Sequence, residues 1–204
     1  MRDWLVLALA ILMAAGLFAS HERLDQIMRA LVAPTPAQGT GLRGTGLQGV
    51  ATVTDGDTLE IHGQRIRLHG IDAPESGQSC ADAKGALYRC GHCAARALAD
   101  RIGDGVVRCE QTDIDHRYTR VVAVCSQNGV DLNRWLVETG QALAYRRYSP
   151  DYVKAEEIAQ AAQRGIWAGR FVAPWDWRKG ARLEREAAPQ PSPAPEGCER
   201  RAQR

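Results

Sequence analysis

An excess of charge of either sign is absent. The 204 residues carry 26 Lys+Arg against 24 Asp+Glu, a formal net charge of +2. No whole-molecule field steers polyanions to such a chain, so any affinity for them rests on local arrangement. Lysine is scarce, occurring only at Lys84, Lys154 and Lys179, and the remaining basic residues are arginines, whose planar forks grip phosphate and carboxylate bidentately. There is no internal repeat, and only one long apolar run, which excludes a multi-span membrane protein. With 45% hydrophobic and 25% charged residues, Gly 20 and Pro 9, collagen-like and wholly disordered chains are also excluded. What remains is one globular domain with additional chain at both ends.

The apolar run covers Trp4 to Ala19, behind Met1 and Arg2. It is short for a membrane span and slightly long for the core of a signal peptide, and its all-round apolarity at the terminus argues against a buried core helix. Residues 1–20 therefore read as an export segment, either a cleaved signal peptide or an N-terminal membrane anchor. Residues 21–47, rich in glycine and proline from Pro34 onward, read as a linker. Residues 181–204 form a Pro, Ala and charge-rich tail with too little apolar surface to order itself, which leaves a formally neutral domain at residues 48–180.

Inside the domain, Val50 to Thr54, Thr58 to His62 and Arg65 to Ile71 alternate like strands, and Gly63-Gln64 is the expected hairpin turn between the last two. Ala95, Leu98, Ala99 and Ile102 recur at helical spacing before Gly103. Val106 to Glu110 and Val121 to Cys125 are two further strands. Asp131 can cap a helix carrying Leu132, Trp135 and Leu136, and Ser149-Pro150 can open another that closes at Gly165. The order βββ-α-ββ-α-α predicts an α+β fold, a five-stranded OB barrel with three helices.

Four carboxylates lie close together in the chain: Asp55 and Asp57 in TDGDT, Asp72 and Glu75 in IDAPE. A turn at Gly63-Gln64 sets Asp57 opposite Gly70, with Asp72 one pleat away, so the two aspartates should be spatial neighbours. Like charges that close are neutralised most simply by an oxygen-loving divalent cation, Ca2+ in preference since no His or Cys joins the cluster. The alternative is a pair of solvated turns in which the carboxylates cap backbone amides. Gly70 reads as a bulge that re-aims Asp72, and Arg67 could instead pair with Glu60 across the hairpin.

The segments TDGDTLEIHGQRIRLHGIDAPES, DHRYTR, LNRWLVETGQALAYRRYSPDY and GIWAG, in this order, resemble the thermonuclease family of staphylococcal-nuclease-like OB-fold enzymes over roughly residues 48 to 178. The most specific element is DGDT followed at the expected distance by R-L-x-x-I-D-A-P-E. The resemblance implies that Asp57 and Asp72 ligate Ca2+, that the Ala73 carbonyl adds an oxygen and that Glu75 acts through water. It further implies phosphate-binding roles for Arg67 and Arg120, with Tyr118 and Tyr145 near the nucleotide. Two positions depart from the family pattern: Thr119 stands where glycine is usual, and Ala73 where threonine is usual. A backbone carbonyl ligand survives the second change.

These residue types suit phosphodiester hydrolysis. A divalent ion and two guanidinium forks neutralise the charge on the equatorial oxygens, while a positioned carboxylate, Glu75, takes the proton of the attacking water. The stretch Ala144 to Tyr148 offers either a base-stacking surface or a half-buried segment with snorkelling arginines, and Trp167, Trp175 and Trp177 are expected to pack on the barrel.

Six cysteines in an exported chain are disulfide material. Cys109 and Cys125 sit on consecutive predicted strands and are expected to pair. Cys80 is within reach of Cys90 or Cys93, which leaves Cys198 over. Cys90-Gly91-His92-Cys93 also suggests a thiol-disulfide oxidoreductase, although the preceding residues do not form the buried strand that such a motif needs, and no second ligand pair completes a zinc site. A non-catalytic nucleic-acid-binding OB module is the other alternative, and it would be expected to have lost Asp57, Asp72 and Glu75. The reading preferred is an exported Ca2+-dependent nuclease acting on DNA and/or RNA, periplasmic, extracellular or anchored to the membrane, with no obligate protein partner inferred.

Overall fold

The computed structural model of the chain describes residues 46–118, 120–183 and 198. Residues 1–45, which include the expected export segment and nearly all of the expected linker, lie outside the described residues, as do Thr119 and most of the expected tail.

The fold is α+β. Its main sheet runs β1 (Leu47–Val50), β8 (Val106–Asp115), β9 (Arg120–Gln127), β4 (Gln64–Leu68), β3 (Thr58–Ile61) and β2 (Thr52–Asp55), with β10 (Val130–Asp131) added beside β9. Pairing is antiparallel throughout except for β4 with β9, which is parallel. The two ends of this path, β1 and β2, are consecutive in the chain and separated only by the buried Ala51. Two small sheets stand apart, β5 (Ile71–Asp72) with β11 (Leu143–Ala144), and β6 (Cys80–Ala81) with β7 (Leu87–Tyr88). The strand count therefore exceeds the expected five, because the expected first strand is two, β1 and β2, divided at Ala51, and because pairings of two residues each carry too little periodicity to be seen in the sequence.

Alternation drives the core. Leu59 and Ile61 from β3, Ile66 and Leu68 from β4, Val107 from β8 and Ala123 from β9 turn one face inward, and each is at most 1% exposed. A fully buried aliphatic side chain of this kind contributes roughly 1.5–3 kcal/mol. Helix α1 (Cys90–Ile102) adds Ala94, Leu98 and Ile102 to that cluster. Helix α2 (Leu132–Glu138) opens where expected, the Asp131 carboxylate accepting a hydrogen bond from Arg134 N at 2.9 Å. Helix α3 spans Val153–Ala161, followed by a 3-10 turn at Gly165–Ala168 and a short α4 at Pro174–Trp177. Ser149 does not cap α3. It accepts from Asp151 N at 3.1 Å in a local turn, and the helix begins three residues later than Pro150 suggested.

The β3–β4 turn is His62-Gly63, not Gly63-Gln64. Both residues have positive φ, 52° and 79°, the signature of a two-residue type I′ loop that favours glycine second. Thr58 consequently pairs with Arg67 and Glu60 with Arg65, so the alternative contact of Arg67 with Glu60 does not form. The expected partner of each residue is displaced by two positions, which leaves every side chain on its predicted face. Gly70 does not bulge a continuous strand. With φ +70° it turns the chain between β4 and β5, and β5 then pairs with β11.

All three disulfides are formed: Cys80–Cys90, Cys93–Cys198 and Cys109–Cys125. The last joins residues that face each other on β8 and β9 and is worth about 3 kcal/mol in the chain-entropy view. Cys198 is not left over. Cys90 and Cys93 each bond outward, so their motif holds no dithiol for redox exchange.

Candidate active site

Asp57 ends the tight turn that links β2 to β3, and Asp72 ends β5. Both side chains are buried, at 3% and 0% exposure. Arg67, the penultimate residue of β4, joins them: Nη1 donates to Asp57 Oδ1, and Nη2 donates to Asp72 Oδ1 at 2.7 Å and to the Ile71 carbonyl at 3.3 Å. The second oxygen of Asp57 accepts from Ala73 N at 2.8 Å, so the backbone of the IDAPE segment is bound to the DGDT turn. Burial pushes the Asp57 carboxyl up to about 7, although Arg67 opposes the shift. For Arg67 burial acts to lower the pKa, but the adjacent Asp57 and Asp72 outweigh it and hold the guanidinium charged.

Glu75 lies beyond Pro74 at the rim and is half-buried. Its segment is held from below by Gln78, which is wholly buried: Gln78 Oε1 accepts from Glu75 N at 3.2 Å, Gln78 N donates to the Glu75 carbonyl at 2.7 Å, and Gln78 Nε2 donates to the Val172 carbonyl at 2.6 Å. Helix α1 packs directly on this segment, since a Cβ at Gly91 would stand 1.8 Å from the Glu75 carbonyl oxygen.

The Val172 contact, together with reciprocal backbone bonds between Ala81 and Arg170, fixes the chain that leads into α4. From the end of α4, Arg178 reaches back to the acidic cluster. Its Nη2 donates to Asp72 Oδ2 at 2.6 Å, and its Nη1 donates to Asp72 Oδ1 at 3.1 Å and to Glu75 Oε1 at 2.7 Å. These bonds, first of all those to Asp72, raise the Arg178 pKa.

Arg120 opens β9. Since Arg67 faces Val122 in the parallel β4–β9 pair, Arg120, two residues before Val122, lies on the same face of the sheet as Arg67. It donates from Nη2 to Asp115 Oδ2 at 2.9 Å, a bond that lowers the Asp115 pKa, and its buried Nε has no partner. Tyr118 is exposed, with the Arg120 guanidinium 4.8 Å from its ring centroid. Tyr145 stacks on Trp175 and meets Tyr148 edge-on. In the same stretch Arg146 is taken by the buried Glu156. One open cleft is lined by Asp57, Arg67, Glu75, Arg120, Tyr145 and Trp175. Trp175 is thus a cleft residue and not only barrel packing. It and Arg178 have no local signature in the sequence, because both depend on the return of the C-terminal segment.

The donors fit a hard cation by type, being carboxylate oxygens without nitrogen or sulfur, and a cationic group, Arg178, already stands among them. Among the described residues no three His, Cys, Asp or Glu side chains converge on one point. Asp72 and Glu75 share Arg178, while Asp57 is turned to Arg67 and the Ala73 N–H.

The model of the family described as staphylococcal nuclease homologue matches residues 65–169. The chain belongs to the staphylococcal nuclease family. The chain is also similar to the succinoglycan biosynthesis protein ExoI of Rhizobium meliloti (strain 1021), 43% identical over 122 residues, 58% of this chain and 63% of that protein. An uncharacterized endonuclease of Haemophilus influenzae is 32% identical over 142 residues, covering 66% of this chain and 74% of its own length. A micrococcal nuclease of Shigella flexneri is 30% identical over 151 residues, covering 65% and 80%. This chain thus spans slightly less than two thirds of the ExoI relative. The family match begins at Arg65, so Asp57 lies outside it and is tied to it through Arg67.

Proposed function

We propose that this chain is an exported, Ca2+-dependent nuclease that hydrolyses phosphodiester bonds of DNA, RNA or both. The observation that carries the reading is the double grip of Arg67 on Asp57 and Asp72 inside the cleft that holds Glu75 and Arg120. Buried charged networks cost several kcal/mol per ion in desolvation and are weak devices for stability, so their concentration in a cleft favours a chemical role. The relatives named endonuclease and micrococcal nuclease support the same reaction. The β1 and β2 segments that meet at Ala51 support an OB-type barrel as its scaffold.

Asp57, Asp72 and the Ala73 carbonyl are assigned to Ca2+, with Glu75 acting through water; the bound ion would supply charge neutralisation at the phosphate. Arg67 and Arg120, which line the same cleft, donate to the equatorial phosphate oxygens. Glu75 accepts the proton of the attacking water, a role worth about 10² to 10⁴-fold. Tyr118 and Tyr145 meet the nucleotide. Export rests on the Trp4 to Ala19 run and on three disulfides in one small domain.

The test is the purified chain on single- and double-stranded DNA and RNA, with Ca2+ or with chelator. Cleavage that chelator abolishes and Ca2+ restores is expected. Tight binding without cleavage of any of the four would instead assign a nucleic-acid-binding module. An alkaline phosphatase fusion after Lys179 tests export and is expected to be active.

A further inference from the structure

Both oxygens of Asp72 are occupied. Oδ1 accepts from Arg67 and Arg178, Oδ2 accepts from Arg178, and the same Arg178 nitrogen that reaches Oδ1 also takes Glu75 Oε1. Asp72 itself has no exposed surface, so no free coordination direction faces solvent. The two arginines are unequal. Arg67 is the more buried and is bound on three sides, by Asp57, Asp72 and the Ile71 carbonyl, from within a paired strand. Arg178 is 38% exposed, enters from the rim and sits at the end of a helix of four residues. Of the two, Arg178 is the one that can leave without unmaking the sheet.

We propose that Arg178 is a resident competitor for the metal position: its guanidinium holds Asp72 and Glu75 in the metal-free protein, a divalent cation binds by displacing it, and this residue therefore sets the affinity for that cation. The inference rests on the assignment of Ca2+ to Asp72 made above. A cation on Asp72 would compete with the bidentate Arg178 contact for the same two buried oxygens and would place a second positive charge against the guanidinium, so the two oppose each other. The apparent affinity is the intrinsic one multiplied by the fraction of molecules in which Arg178 has left the carboxylates.

The experiment is calorimetric titration of the full chain with CaCl2 alone, at fixed pH and ionic strength, for the unaltered protein, Arg178→Gln, Arg178→Lys and Lys179→Gln. Arg178→Gln is expected to bind Ca2+ tighter by about tenfold or more, since it deletes a bidentate, charge-assisted competitor. Arg178→Lys keeps the charge but loses the fork, and is expected to fall between the two. Lys179→Gln removes a neighbouring charge that pairs with Asp176 and is expected to stay within about threefold, which separates displacement from a general field effect. A purely structural role for Arg178 predicts the opposite sign, because unbraced Asp72 and Glu75 would bind the ion less well. Equal or weaker binding by Arg178→Gln overturns the proposal while leaving the metal assignment standing. Absence of Ca2+ binding in every protein removes the metal assignment and this inference with it. Should Arg178→Gln fail to fold in a thermal melt, Arg178→Lys carries the same test, and an affinity no tighter than that of the unaltered chain overturns the proposal.

Discussion

Trp175 lies flat against Tyr145, their ring centroids 5.5 Å apart and their planes inclined by 2°. The pair forms an aromatic wall of the cleft that contains Arg67 and Glu75. Stacking of a base on such a surface is worth about 1–3 kcal/mol. Trp175→Ala is therefore expected to raise KM for single-stranded substrate roughly fivefold to a hundredfold with little change in kcat. Steady-state kinetics decide it, and an unchanged KM would remove Trp175 from the substrate surface.

Glu75→Gln keeps the shape of the side chain but cannot take a proton from water. It is expected to lower kcat by at least about 10², with substrate affinity and fold nearly intact. Single-turnover cleavage is the cleanest measurement. A rate within about threefold of the unaltered enzyme would move the base role to another group.

Arg67→Lys keeps the charge but has no planar fork to span Asp57 and Asp72. It is expected to reduce kcat more than it raises KM, and to lower the melting temperature because one buried carboxylate loses its partner. Retention of both full activity and full stability would show that the bridge is dispensable.

Asp57 ties stability to pH. Its folded-state pKa, raised by burial from 3.8 to about 7, exceeds the unfolded value, so between those pH values the folded protein keeps a proton that the unfolded chain has lost. Its contribution to stability is therefore present at low pH and lost as pH rises toward 7. Chelator-treated protein melted across that range should show a component of decline that Asp57→Asn lacks. Ca2+ affinity should weaken below pH 7 for the same reason, since the ion needs the carboxylate. Superimposable pH profiles for the two proteins would contradict the shift.

Gly91 is the contact point between α1 and the Glu75 segment. A methyl there meets backbone, which cannot rotate away, and Gly91→Ala is expected to cost about 1–3 kcal/mol in stability and to lower kcat by shifting Glu75. Thermal unfolding and kinetics measured together test both. An unperturbed variant would mean that the helix can move aside.

What could be read locally was set by local chemistry. Alternating Leu59, Ile61, Ile66 and Leu68 mark a hairpin whose inner face is unambiguous, and Asp131 marks a helix start, because these depend on residues a few positions apart. The closeness of Asp57 and Asp72 was legible for the same reason, being carried by one hairpin. The exact turn was not, since His62-Gly63 and Gly63-Gln64 both place glycine suitably and only the positive φ at His62 and Gly63 decides between them.

By itself the amino-acid sequence determined the family and its acidic and arginine motif, the faces of the central strands and the partnership of Cys109 with Cys125. Tertiary structure alone decided that Gln78 holds the Glu75 segment to Val172, that Cys93 pairs with Cys198, and that Trp175 and Arg178 enter the cleft. Those contacts join chain segments about a hundred residues apart, Arg178 and Asp72 being separated by 106 positions. No periodicity extends over such a distance. Arg178 reaches the cleft because the chain after α3 is bound back across the domain at Ala81 and Gln78, which delivers its guanidinium to Asp72 and Glu75.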